Sequence, residues 1–427
     1  MRPVPSIVDT AAGRAGKGGR VGASGVPVQG GDSPPRTGDR RLDVVDVLRG
    51  FALMALFLVH VIESYELFWA GEKPGKITET VFALFMGKSF SLLALCFGFS
   101  FFILMDRAAS RGQDFTWRFA WRLLILEGIG FLHSLIYRGD IMQTLAAIGF
   151  LLLLFNRIRS QAVLLAGAAF CLIGPSLIVQ LVAGASGAAW ANAPAMSSVD
   201  PGMPVYLGGD LWQVLRVNLW AGQQSKYWFF LEYGRMVQIL GLYLLGLVLG
   251  RTDFFGDLPH SRRWRAWALP IAAAIAAALF MTREPLREAF MAQGFGPGAG
   301  RAFWALINMW LDLAGTAFWA LLVIALYDSR ARGLVQPLAA PGRLTLTYYI
   351  LQSVVFVPIF YHYGLGLYDD WSAATRLGVA LVAIAVQIIV AQWWLARFQY
   401  GPIEWVWRAL TYLRRDVPFR RKAPARG

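Results

Sequence analysis

Residues 123–155 read LLILEGIGFLHSLIYRGDIMQTLAAIGFLLLLF. Two apolar runs flank a short connection that carries His133, Arg138 and Asp140. Apolar runs of roughly 16 to 24 residues recur along the chain, and that is the length a bilayer's hydrocarbon core demands of a helix. In lipid every backbone N–H and C=O must be paired within the protein, so such runs are helical. Bulk composition agrees: 57% of residues are hydrophobic, 15% are charged and the mean hydropathy is +0.50, far from a soluble average. The expected fold is all-α, a polytopic membrane helix bundle.

Counting the runs gives about ten spans of membrane length, at residues 45–67, 81–105, 122–137, 141–155, 162–183, 229–249, 266–281, 303–327, 344–361 and 377–396. The formal charge is +14, from 40 Lys and Arg against 26 Asp and Glu. Its placement speaks for topology rather than for nucleic-acid binding. With the Arg-bearing segment before Leu42 inside, the connections DRAASRGQDFTWRFAWR (106–122), NRIRSQ (156–161), RTDFFGDLPHSRRWR (251–265) and DSRARG (328–333) share that side with the end RRDVPFRRKAPAR (414–426). All are basic, as cytoplasmic segments are. An even number of spans then puts both termini in the cytoplasm.

Residues 1–40 are rich in Gly, Pro, Ser and Arg and have no apolar stretch after the charges, so a disordered cytoplasmic tail is expected rather than a cleavable signal peptide. Residues 41–228 form an N-terminal transmembrane half that ends in a long outer loop, 184–228, placed to act as a lid. Residues 229–415 form a C-terminal half and 416–427 a basic cytoplasmic tail. Cys96 and Cys171 fall inside spans and read as packing residues. Gly246 and Gly250 form a GxxxG, read as a close helix contact. In GPIEWVWRALTY (401–412), Pro402 starts a helix, Glu404 is expected to pair with Arg408, and Trp405, Trp407 and Tyr412 anchor it on the inner leaflet.

An ionisable side chain inside a bilayer is costly and faces the bundle interior or a cavity. In the first span His60 stands eleven residues beyond Arg49, and in the third His133 stands eleven beyond Arg122. At 1.5 Å per residue both histidines stand roughly 16 Å above their arginines, at matched depth in the outer half of the membrane. Glu63 shares a helical face with His60, and Arg138 and Asp140 cap the third span above His133. These residues define an outer polar pocket. A lone intramembrane His commonly just bonds a carbonyl, whereas two at one depth beside carboxylates point to function.

Lys88 either snorkels to the interface or binds an anion in that pocket. Asn308, Asp312 and Thr316 repeat every four residues, and Thr345, Tyr348 or Tyr349, and Gln352 form a similar stripe. Each stripe reads equally as interhelical hydrogen bonding or as a channel lining. Glu127 is open in the same way. No bound metal is expected, because the two histidines lack third and fourth ligands at diagnostic spacing.

RLDVVDVLRGFALMALFLVHV, GKSFSLLALCFGFSF, RLLILEGIGFLHSLIYRGDIM, GRLTLTYYILQS and GPIEWVWRALTY occur in this order. Together they resemble the YeiB-like family of bacterial membrane proteins, whose C-terminal half is a domain of unknown function, DUF418. The resemblance covers roughly residues 40–415, the length of a polytopic membrane domain. It implies a multi-pass protein of the bacterial cytoplasmic membrane. That family is similar, more distantly, to membrane-bound acyltransferases that carry acyl groups from cytosolic acyl-CoA to an acceptor across the membrane and use an intramembrane His. The resemblance implies His133 as the catalytic residue and matches LRG at Arg49 and Gly50. Where the family commonly ends the first-span motif in Asn, this chain has His60, whose role is therefore not inherited.

The expected chemistry is acyl transfer. His133 deprotonates an acceptor hydroxyl or amine, oriented by Asp140, with His60 as second base or oxyanion donor. Arg138 or Lys88 would bind an anionic acceptor, with Glu63, Asp312 and Gln352 also lining the substrate site. Arg49 and Arg122 would hold the phosphates of acyl-CoA, probed best as acetyl-CoA. The acceptor is a glycan, lipid or small molecule, the bilayer is the partner, and a homo-oligomer is compatible. The rival is a transporter or lipid flippase with a His/Asp proton relay through Asp312 and Glu127. An envelope scaffold is a third reading, which leaves the matched histidines unexplained.

Overall fold

The computed structural model describes residues 42–198, 200–414 and 416–421, so the expected tail at 1–40 and most of the basic end lie outside the described residues. The regular elements are helices. Numbered in chain order, those of ten residues or more are α1 (Asp43–Ile62), α2 (Lys76–Phe85), α3 (Lys88–Ala109), α4 (Thr116–Ser134), α5 (Met142–Phe155), α6 (Gln161–Ile173), α7 (Pro175–Ala185), α8 (Leu211–Glu232), α9 (Arg235–Arg251), α10 (Leu258–Met291), α11 (Pro297–Tyr327), α12 (Thr345–Phe360), α13 (Ala373–Arg397) and α14 (Pro402–Tyr412).

Among the described residues six segments are long and apolar enough to cross a membrane: Asp43–Ala70, Lys76–Ala109, Gln161–Ala185, α10, α11 and α13. Two bent pairs raise the number to eight: α8 with α9, bent by 67°, and Arg332–Arg343 with α12, bent by 81°. The fold is thus an all-helical polytopic membrane bundle of six to eight candidate spans. Two of the ten apolar runs fall short for identifiable reasons. α5 is apolar but only 14 residues long, and α4 carries Arg118, Arg122 and Glu127 within 19 residues.

α1 is the axis of the bundle. The apolar window of Asp43–Ala70 is 83% buried, against 11% for α10 and 17% for α13, whose apolar faces are left for lipid. Close approach to α1 depends on glycine. A Cβ on Gly50 would lie 1.9 Å from the Leu338 carbonyl oxygen, and one on Gly342 would lie 1.8 Å from that of Asp46. α3 and α9 cross in the same way: a Cβ on Gly98 would meet the Tyr243 oxygen at 2.2 Å, and one on Gly246 the Leu95 oxygen at 2.3 Å. The GxxxG is therefore a helix contact, and Gly98 is its partner across the interface.

The structure corrects two local expectations. Residues 211–228 are not loop, because α8 runs through them. Its start is fixed by a capping box: Asp210 accepts from the Gln213 amide at 2.8 Å, and the Gln213 side chain accepts from the Asp210 amide at 2.8 Å. The helix has low hydropathy because its polar face turns inward. Asn218, Ser225 and Lys226 are buried, while Trp212 and Trp220 are exposed.

The second correction is Glu404, which does not pair with Arg408. Its carboxylate accepts from the amides of Leu346 (2.8 Å) and Thr347 (3.0 Å) and from the Thr347 hydroxyl. The start of α12 offers unpaired N–H groups and the positive end of the helix dipole, a stronger draw than a solvated guanidinium. Burial pushes the Glu404 carboxyl above the usual carboxylate range, and these hydrogen bonds work the other way. Arg408 stacks instead on Tyr400 and Tyr412, 5.0 and 5.4 Å from their centroids. Residues 416–421 lie along the end of α13, with Gln399 donating to the Phe419 oxygen and Arg421 to the Arg397 oxygen, both at 2.9 Å.

Gly98→Val should destabilise the protein by about 1–3 kcal/mol through overpacking. Gly128→Ala, inside α4 where a Cβ would meet nothing within 4 Å, should stabilise by about 0.5–1 kcal/mol. Melting of the detergent-purified variants checks both.

Candidate functional site

α4 ends at Ser134, and the connection to α5 brings Asp140 back over its last turn. His133 Nδ1 lies 2.8 Å from Asp140 Oδ1, with both side chains buried. A carboxylate can only accept, so Nδ1 carries the proton and the lone pair of the neutral ring stands on Nε2. His133 Nε2 is buried with no hydrogen-bond partner among the described residues. Buried polar atoms are seldom left so, and each such atom asks for a reason.

The pair is held from several sides. Asp140 Oδ2 accepts from the Gln143 amide at 3.0 Å, which ties it to the first turn of α5. Tyr349 accepts from the Ile141 amide at 3.1 Å, and its ring centroid is 5.2 Å from that of His133. Gly130 lets α4 close on α5, since a Cβ there would come within 2.9 Å of Gln143 and 3.1 Å of Asp140.

His60 sits beside this pair. Its Nδ1–H is shared between Glu63 Oε1 at 2.8 Å and the Tyr137 hydroxyl oxygen at 3.1 Å. The Tyr137 ring stands edge-on to both histidines, with centroid separations of 5.4 Å to His60 and 6.1 Å to His133. One tyrosine thus bridges two rings that lie 73 positions apart in the sequence. Beyond α1, Ser64, Tyr65 and Glu66 take φ values of +50°, +52° and +78°. Three consecutive side-chain-bearing residues in the left-handed region store strain of about 1–3 kcal/mol each, and such strain clusters at functional sites.

This turn aims Glu66 at Arg138. The Arg138 Nε donates to Glu66 Oε2 at 2.5 Å, another guanidinium nitrogen donates to Asp200, and the group lies 5.5 Å from the Tyr206 centroid. Burial opposes its charge, but the two carboxylates hold the guanidinium above its ordinary pKa. Arg138 is therefore already occupied. Asp200 ties the segment before α8 to the His133–Asp140 connection. Tyr206 adds a second tie by donating to Asn218 Oδ1 (2.6 Å), whose amide donates to the Leu135 oxygen (2.9 Å).

The remaining expected residues make contacts of their own. Lys88 does not snorkel. It is buried at the start of α3 with Nζ 3.1 Å from Asp312 Oδ1, while Arg235 binds Asp312 Oδ2 at 3.0 Å. The cations and the carboxylate compensate one another's charge in the interior. Gln352 donates to Gln387 Oε1 at 2.7 Å, an interhelical bond from α12 to α13. Lys88, Asp312 and Gln352 thus form no hydrogen bond or ion pair with the His133 group, whereas Glu63 and Arg138 lie in its shell.

At the other end of α4, Arg122 stacks on Trp407 at 3.6 Å, and Trp407 Nε1 donates to the Arg122 oxygen at 2.9 Å. Arg49 lies 3.7 Å from Asp46, and both Arg49 and Arg408 are within electrostatic reach of Arg122. Arg118 and Arg408 flank the Tyr412 ring.

Lys226, Gln143, Tyr137 and Glu66 belong to the site and were missed in the sequence. Lys226 donates to Gln143 Oε1, and Gln143 Nε2 donates to Glu127 Oε1 at 3.4 Å. The Asp210–Gln213 spacing was the available signal, because a helix started there carries Lys226 inward. Among the described residues no group of three or more His, Cys, Asp or Glu is arranged to hold a metal ion.

The architecture defines a multi-pass helical membrane protein with a buried His–Asp pair. Residues 249–414 match the family described as "Protein of unknown function (DUF418)", so the chain carries a DUF418 domain. It is 27% identical over 405 residues to the uncharacterized protein YxaH of Bacillus subtilis (strain 168), covering 89% of this chain and 96% of that protein. An uncharacterized 39.9 kDa protein of Bacillus acidopullulyticus, encoded in the amylase 3′ region, is 23% identical over 394 residues, 88% of this chain and 95% of its own. The uncharacterized protein YeiB of Escherichia coli (strain K12) is 40% identical over 81 residues, 18% of this chain and 20% of YeiB. The chain is thus distantly homologous to YxaH and YeiB.

Asp200→Asn should release the segment before α8 and leave the centre intact. Hydrogen exchange of the 202–209 amides should rise by at least about threefold while α1 stays unchanged.

Proposed function

We propose that the protein is an integral-membrane acyltransferase that moves an acyl group, acetyl in the simplest case, from cytosolic acyl-CoA to an acceptor at the outer side of a bacterial cytoplasmic membrane. In this reading α4 and α5 also cross the bilayer, which makes ten spans and places both termini in the cytoplasm. The observation that carries it is the buried His133 with Asp140 on Nδ1 and no partner on Nε2.

Acyl transfer needs a base at the acceptor and stabilisation of the carbonyl oxygen. His133 Nε2 takes the acceptor's proton, and Asp140 fixes the tautomer and balances the imidazolium that forms. The Tyr137 hydroxyl, on a ring whose centroid lies 6.1 Å from that of His133, or a protonated His60 would donate to the developing oxyanion. Arg49 and Arg122 hold the donor's phosphates, with Trp407 as a flat platform. α1 and α4 each connect an arginine to a histidine over roughly 16 Å of rise, a distance for the donor's flexible arm to bridge.

Transport is the second reading, and one observation favours it. Lys88, Asp312 and Arg235 form a buried charged group where the broken α8–α9 pair restarts, an arrangement suited to moving a charged solute. It expects flux without an acylated product.

Acetyl-CoA should raise the melting temperature of the purified protein more than free CoA or ATP does, since binding to the native state stabilises it. The rise should vanish in Arg49→Gln and Arg122→Gln. His133→Ala should lower transfer by at least about a hundredfold, the scale of a lost general base. No acetyl-CoA response in folded protein, together with flux in liposomes, contradicts this reading.

A further inference from the structure

The group around His133 carries an unbalanced charge. Among the described residues, Glu63, Glu66, Glu127, Asp140 and Asp200 are joined there by two fixed cations, Arg138 and Lys226. The members are physically linked. Arg138 bridges Glu66 and Asp200, Gln143 bridges Asp140, Glu127 and Lys226, and Tyr137 joins His60 and Glu63 to His133. Glu66 also lies in electrostatic reach of Glu63 and His60, and Lys226 in reach of Asp140, Glu127 and Glu66. With every carboxylate ionised, five against two cations would leave three negative charges unbalanced, and one would remain even with both histidines protonated.

Glu63 and Asp140 are buried and Glu66, Glu127 and Asp200 half-buried, and an excess of like charge there is relieved either by protons on the carboxyls or by a cation bound among them. The free atoms specify what is missing. His133 Nε2 and Glu127 Oε2 are buried without partners, and with the ring neutral and the carboxylate ionised both can only accept, while the equally unpartnered Ser64 and Tyr65 hydroxyls can donate or accept. Tyr65, Tyr137 and Tyr349 pack tilted or edge-on against the histidines, and an aromatic face left open there attracts a cation. The complement is a positive group rich in N–H donors. An anion is the weaker candidate here, since Arg138 is already bound by two carboxylates and Lys226 is held by Gln143 Oε1 beside Glu127.

We propose that this group is a cation-recognition site whose ligand is a protonated amine, and that the transferred acyl group therefore ends in an amide. The second half rests on the acyl-transfer reading. The step balances as follows: the ammonium gives one proton to His133 Nε2, and the freed amine attacks the thioester carbonyl. A C–N bond forms and the C–S bond breaks. The departing thiolate takes the second proton from nitrogen, and the proton on His133 returns to solvent. An ammonium and a thioester thus become an amide, a thiol and one released proton.

Three probes of matched size test the site in the purified full-length protein without acyl-CoA: n-propylamine, n-propanol and propionate. Propylamine should stabilise against heat at concentrations at least about tenfold below the other two. Glu66→Gln and Glu127→Gln, isosteric changes checked by unmodified melting without ligand, should each weaken that effect by at least about threefold, and added salt should weaken it too. A stronger response to propionate, an equal response to all three, or none in folded protein overturns the cation site. With acetyl-CoA present, mass spectrometry should find N-propylacetamide. Propyl acetate as the main product overturns the amide assignment. Propylamine binding without any product leaves the cation site standing and counts against acyl transfer alone.

Discussion

The contact between His133 and Asp140 is the constraint from which the site follows. The two residues lie on opposite ends of a tight reversal between α4 and α5, so the connection must fold back on itself to let them meet. Gly130 allows the helices to close, Gln143 fixes Asp140 through its amide, and Tyr349 holds the backbone at Ile141. A buried ionised carboxylate is tolerable only when so provided with donors. Because Arg138 lies within the same reversal, the segment carrying Asp200 and the strained turn carrying Glu66 are fastened to it as well.

α1 supplies the other half. It is the most buried span and runs from Arg49 to His60, parallel in composition to the Arg122–His133 stretch of α4. At one end its glycine contact with Gly342 brings the short helix Ala339–Arg343 against it. At the other, His60 meets Tyr137. A displacement of α1 would therefore be felt at both the arginine end and the histidine end. In the acyl-transfer reading proposed above, that coupling would link the donor end to the acceptor end.

The sequence exposed what depends on local spacing. The matched rise from Arg49 to His60 and from Arg122 to His133 follows from helix geometry alone, as does the shared face of His60 and Glu63. The contact at Gly246 was legible because small residues at that spacing have few other uses in a bilayer. Partners distant in the chain were not legible. Nothing near Lys88 announces Asp312, and nothing near Glu404 announces the start of α12. α8 was hidden by its own design: hydropathy assumes that a membrane helix is apolar on average, and this one turns Asn218, Ser225 and Lys226 inward. Six to eight candidate spans rather than ten pass on length and composition because α4 is charged and α5 is short, facts that an apolar run alone does not weigh.

The central claim is that Asp140 holds His133 in the tautomer with a free Nε2. Nitrogen-15 NMR of histidine-labelled protein in lipid nanodiscs addresses it directly. The chain has four histidines, so loss of one pair of signals in His133→Gln assigns the residue. At a pH where the ring is uncharged, Nδ1 should show the protonated-nitrogen shift and Nε2 the bare-nitrogen shift, and Asp140→Asn should abolish that preference. A proton on Nε2 in the unmodified protein would contradict the account, because the nitrogen assigned to take the acceptor's proton would already carry one.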